Sequence, residues 1–154
     1  MHRLRVGLLT GIEPLLTGYF GLDLQTISEE QGLDFSIFSD PENRCSLDSV
    51  LLLLDECAAQ TKSNYFGALL ANHQSRDSLG LITLLGEHSD NLEHAIEQMF
   101  SHISLNATGV DWTKEKENGY CSLIMSIQSK HSAKQAYLFG MAQSYLVLKS
   151  ITND

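Results

Sequence analysis

Apolar positions recur along this chain first with helical spacing, then in alternation, then with helical spacing again. Leu47, Val50, Leu51, Leu54 and Ala58 recur as one helical face, and with Ser46 ahead of them as an N-cap they predict a helix over 47–60. Leu52 and Leu53 widen that stripe, so the helix is expected to be buried on more than one side. A polar break, QTKSN, ends it. YFGALLANH, residues 65–73, predicts a further short helix leading into the polar stretch QSRDS. Leu92, Ala95, Ile96, Met99, Phe100 and Ile103 form a complete apolar face of another helix running to about Ser104. Asp90 and Glu93 stand at capping-box spacing before it, with Asp in place of the usual Ser or Thr.

The period then becomes two. TGVDWTKEK and GYCSLIMSI flank Asn118-Gly119, a pair that tolerates the positive φ angles of a tight hairpin turn. Cys121, Leu123, Met125 and Ile127 share one strand face, which is expected to meet the helices. The last segment, about Ala133 to Ile151, reads as a helix with few charges; Ala136, Gly140 and Ser144 form a ridge of small residues along it. Such a ridge lets another backbone approach, and internal packing is its commoner use, with a dimer contact secondary.

Near the N-terminus, GLDLQTISEEQ from Gly21 and GLDFSIFSDPE from Gly32 are near-repeats eleven residues apart. Each Gly can end a helix in a left-handed conformation, and Asp23 or Asp34 can cap the turn that follows. Asp40-Pro41-Glu42-Asn43 reads as a turn. The expected fold class is α+β: a mostly helical N-terminal two-thirds, a β-hairpin or small antiparallel sheet, then a C-terminal helix, all in one domain over 1–154.

Charge narrows the function. Ten Lys plus Arg against nineteen Asp plus Glu give a net charge of −9, which repels a nucleic-acid backbone. The apolar run VLLLLDECAA meets acidic residues long before the ~20 positions that span a bilayer. The basic N-terminus is followed by Thr10 and Gly11 and has no small-residue cleavage site, so the expected location is cytoplasmic. Cys45, Cys57 and Cys121 are widely spaced without a CxxC pair, as suits reduced thiols filling apolar space.

Candidate chemistry is sparse. In SLGLITLLGEHSDNLEHAIEQMF, Gly80 and Gly86 lie six apart, no Lys follows, and Glu87 and Asp90 put negative charge where phosphate would sit. A packing device is therefore favoured over a nucleotide cradle: a short buried helix ending near Gly86, a turn, and a new helix from Asp90. His94, Gln98 and His102 share a helix side at four-residue spacing, but Gln is a poor zinc ligand and two turns separate the histidines. Neither a metal nor a cofactor is expected. No GxSxG motif occurs and Cys121 falls inside a predicted strand, so no catalytic residue is assigned and an enzyme is not expected. Side chains suited to a ligand pocket cluster toward the C-terminus: Trp112 and Tyr120 on the hairpin, and Tyr137, Phe139 and Tyr145 on the last helix. Trp112, Tyr120, Tyr137, Met141 and Tyr145 are the candidate ligand-binding residues, of which only one or two are expected to touch a ligand.

Taken in order, these segments resemble the N-terminal arabinose-binding-type effector domain of AraC/XylS-family transcriptional regulators. The resemblance rests on Gly32-Leu33-Asp34, Asp40-Pro41, the Leu-rich Leu47 to Ala59, Phe66-Gly67 with Leu69, Leu79-Gly80 with Leu85-Gly86, Ser89 with Leu92 and Ala95, Gly109, and the closing QAYLFGMAQSYLVLKSIT. It covers roughly residues 20 to 152. It implies a cytoplasmic domain that senses a small-molecule effector, can form a homodimer, and acts on DNA only through a C-terminal helix-turn-helix region absent from this sequence. A pocket is expected between the hairpin and the flanking helices. The rival reading from the residues is a stand-alone dimerisation or protein-interaction module.

Overall fold

A computed structural model describes residues 1–74, 78 and 88–152, and these build an α+β domain. Chain order begins with strand β1 (Arg3–Arg5), a 3-10 turn (Val6–Leu9), α1 (Ile12–Leu15) continuing into a π-helical turn (Leu16–Phe20), and α2 (Leu24–Glu30). A 3-10 turn (Phe35–Ser39) and β2 (Arg44–Ser46) lead to α3 (Leu47–Gln60) and α4 (Phe66–His73). After α5 (Leu92–Ser101) and a short 3-10 turn come β3 (Val110–Glu117), β4 (Tyr120–Ile127) and α6 (Lys134–Thr152).

Local chemistry explains many of these boundaries. Asp23 accepts from the Thr26 amide at 2.9 Å and Asp34 from the Ser36 amide at 2.9 Å, so each starts its helical turn as expected. Gly21 and Gly32 take φ of 64° and 74°, closing the turns before them. Asp40 accepts from the Glu42 amide through its side chain and from Asn43 through its carbonyl, which makes the expected Asp-Pro turn.

The helix from Asn91 corrects one expectation. Asn91, not Asp90, is the N-cap, accepting from the His94 amide at 2.9 Å. Glu93 is thereby released from a capping role and turns to lysines of the hairpin. Leu92, placed in the apolar face by spacing, is 40% exposed because it lies in the first turn at the edge of the packed stripe. On α3, Leu53 is fully buried and Leu52 faces out, so the broad stripe is present without Leu52. The expected turn around Gly80, Gly86 and Glu87 lies outside the described residues.

Two antiparallel sheets of two strands complete the domain. β1 pairs with β2, Leu4 opposite Cys45, and Leu4 also bridges to Ala107. This sheet was not legible in the sequence: three-residue strands are too short to show alternation. β3 and β4 pair through Asn118 and Gly119, whose φ of 51° and 82° give the expected two-residue turn. Met125 and Ile127 pack against the core, while Cys121 is exposed where the hairpin runs past the helices.

Candidate functional site

The small residues of α6 decide how closely the hairpin settles. A Cβ on Gly140 would lie 2.6 Å from the Met125 sulfur and 3.5 Å from the Trp112 ring. The ridge of Ala136, Gly140 and Ser144 therefore faces inward, against the hairpin and the space beneath it. It serves internal packing, the commoner of its two expected uses.

Beneath the hairpin lies a cavity of about 100 Å³. Its walls come from separate parts of the chain. The N-terminal segment supplies Leu4, Leu8 and Leu9, and α3 supplies Leu47, Val50, Leu51 and Leu54. Met99 and Phe100 close it from α5, Trp112 and Met125 from the hairpin, and Phe139, Gly140, Gln143 and Val147 from α6. Phe100 and Trp112 stack at 5.5 Å between ring centroids with 24° between planes, joining two walls. On the same strand face, Lys114 bonds Glu93 at 2.9 Å and Glu97 at 2.6 Å, and Lys116 bonds Glu93 at 2.5 Å, fastening the hairpin to α5.

The described wall is apolar except for Gln143, Ser144 and the indole N–H of Trp112, and none of it is charged. Ser144 donates to the Gly140 carbonyl within its own helix at 2.8 Å. Gln143 is buried, and its amide nitrogen bonds the Gln74 side-chain oxygen and reaches Ser78 Oγ at 3.4 Å. Gln74 in turn donates to the carbonyls of Leu8 at 2.6 Å and Thr10 at 3.0 Å. These bonds orient both amides.

Of the residues singled out from the sequence, Trp112 lines the cavity. Tyr137 is half-buried beside it, its hydroxyl accepting from the Ile127 amide at 3.2 Å. Tyr120 is at the hairpin tip and is 79% exposed; Met141 and Tyr145 face outward from α6. The structure thus does not gather these side chains into one wall. Phe100, Met125 and Gln143, which do line it, carried a weaker signal in the sequence: their positions within the Met99 stripe, on the inward strand face and next to the small ridge.

Other chemistry finds no constellation. Among the described residues no group of three or more His, Cys, Asp or Glu could hold a metal ion. His94 meets the Gln98 side chain at 3.1 Å and His102 Nδ1 lies 2.8 Å from the Gln98 carbonyl, so this helix side is bonded to itself. Burial pushes the Cys45 thiol up to about 11 and the Cys57 thiol up to about 12, which keeps both protonated and poor nucleophiles at neutral pH. Among the described residues no helix is long and apolar enough to cross a membrane.

The sequence model of one family, described as the N-terminal arabinose-binding domain of AraC transcription regulators, matches residues 21–153. Among curated proteins, none matches the chain.

Proposed function

Since the chain belongs to the family of N-terminal arabinose-binding domains of AraC transcription regulators, we propose that it is a cytoplasmic sensing domain whose cavity takes a small-molecule effector. Occupancy biases DNA binding by a helix-turn-helix segment joined beyond α6. The observation that carries this reading is the cavity's construction: the N-terminal segment, α3, α5, the hairpin and α6 all meet at one space. An occupant touches every wall, so any arrangement of the walls that binds it better gains population by that difference in affinity. Through Gly140, Gln143 and Val147 the shift reaches α6, the last of the described elements.

The chain's one tryptophan, Trp112, reports on this space. Screened against a library of sugars, amino acids, aromatic acids and alcohols, the protein is expected to show an effector that raises its melting temperature and shifts Trp112 emission. Ala136→Leu, which fills the cavity, is expected to abolish both responses. A saturating effector that leaves emission unchanged and binds Ala136→Leu equally well would overturn the placement.

A second reading, a stand-alone dimerisation or protein-interaction module, draws on two observations. The cavity is smaller than the ~300 Å³ floor of most ligand sites, and Met141 and Tyr145 are exposed one turn apart on α6. A concentration-dependent dimer in sedimentation, with no library response, would favour it.

A further inference from the structure

Resting on the sensing reading, we infer that the effector is a compact, uncharged, largely apolar molecule about the size of one aromatic ring, carrying a single hydroxyl-like group that meets Gln143 or the Trp112 N–H.

Size sets the first limit. An apolar cavity of about 150 Å³ takes up benzene, and this one measures about 100 Å³, so one ring fills it once the walls relax slightly. Polarity sets the second. A pentose carries a hydroxyl on nearly every carbon, and each must find a partner on leaving water. The described wall offers only Gln143, Ser144 and the Trp112 N–H. Charge sets the third: a carboxylate or ammonium needs a buried counter-charge, and the described wall has none. Arg5 and Lys114, both largely enclosed, are already engaged by Glu42 and by Glu93 with Glu97.

The amide chain decides which end of Gln143 can meet a ligand. The carbonyls of Leu8 and Thr10 take both bonds from the Gln74 nitrogen, so its oxygen faces Gln143. The Gln143 nitrogen is therefore committed to Gln74 and Ser78, so a ligand bond to this side chain would go to its oxygen. The Ser144 hydrogen is likewise committed, to Gly140. A single hydroxyl, which both donates and accepts, suits the Gln143 oxygen and the Trp112 N–H.

Phenol, fluorobenzene and L-arabinose test this in calorimetry and thermal melting on the unaltered protein. Phenol and fluorobenzene match in size, but only phenol carries a hydroxyl. Phenol is expected to bind about fivefold or more tightly than fluorobenzene and to raise the melting temperature, with no response to L-arabinose; Gln143→Met should erase the preference. Equal or weaker binding of phenol overturns the hydroxyl assignment. Binding of L-arabinose without phenol overturns the ligand class and leaves the sensing reading standing, as does a library hit when all these probes fail. Failure of every probe and of the whole library removes both.

Discussion

Gly67 of α4 and Gln135 of α6 meet backbone to backbone: a Cβ on Gly67 would overlap the Gln135 carbonyl. The Gly67 amide also donates to the Gln135 side-chain oxygen at 3.0 Å, and the Gln135 amide reaches the Asn64 carbonyl at 3.3 Å. This crossing fixes the height of α6 against the domain, and with it one wall of the cavity. Gly67→Ala must push backbone aside and is expected to cost about 1–3 kcal/mol in urea unfolding. Gly140→Ala crowds the thioether end of Met125, which can rotate away, and touches the Trp112 ring only at ordinary contact distance, so it is expected to stay within about 1 kcal/mol of wild type. Equal costs for both would show that the α4–α6 crossing is not tight.

Arg5 is enclosed and holds distant segments together. Its Nε bonds Asn106 Oδ1 at 2.9 Å, Nη1 bonds Glu42 Oε1 at 2.5 Å and Nη2 bonds the Ser78 carbonyl at 2.7 Å. Arg5→Lys keeps the charge but loses the planar fork, and should cost about 1–3 kcal/mol in thermal unfolding. Glu42→Gln should change little, within about 1 kcal/mol, because Glu42 is 72% exposed. A neutral Arg5→Lys would show that a single point charge suffices there.

Glu93 makes the hairpin clasp sensitive to acid. Hydrogen bonds from Lys116 and then Lys114 hold its carboxyl at about 2, against an ordinary 4.5. A lowered folded-state value means that the contribution is complete above the unfolded value and is lost as pH falls through the folded one. Between about pH 4.5 and 2 the hairpin is expected to loosen from α5, seen as faster amide exchange in both and a red shift of Trp112 emission. Glu93→Gln should show the loosened behaviour at neutral pH and little further change on acidification over that range. An unchanged acid profile in Glu93→Gln would place the sensitivity elsewhere.

The cysteines should separate by accessibility. Cys121 is exposed on β4, whereas Cys45 and Cys57 are buried with thiols pushed up to about 11 and about 12. With Ellman's reagent at pH 8, Cys121 is expected to react at once and the other two only after unfolding. Prompt reaction of Cys57 would mean that α3 opens readily.

Some of this structure was legible because it is local. The spacing of Leu47, Val50, Leu51 and Leu54 marked α3 over 47–60, where it lies. Asn118-Gly119 marked the hairpin, since both residues tolerate the φ that the turn requires. Asp23 and Asp34 marked their turns because a cap bonds an amide only two or three residues away. Asn91 was missed for a related reason: Asp90 fits the same pattern one residue earlier, and spacing alone does not choose between neighbouring caps.

The candidate site was legible only in part. Trp112 and Tyr120 sit on the same hairpin and read alike as aromatic residues, yet one lines the cavity and the other is at the exposed turn. On α6, Met141 and Tyr145 face outward while Gln143 lies between them and inside. A weakly amphipathic helix does not announce which side will be covered.

By itself the sequence determined α3 to α6, the hairpin, their order and the family, because periodicity, caps and turn residues act over a few positions. Only the tertiary structure decided the pairing of β1 with β2, the crossing at Gly67 and Gln135, and the cavity with its Gln143 to Gln74 chain. Each of these joins residues far apart along the chain, and whether they meet depends on how all the apolar faces pack together, which no single stretch encodes.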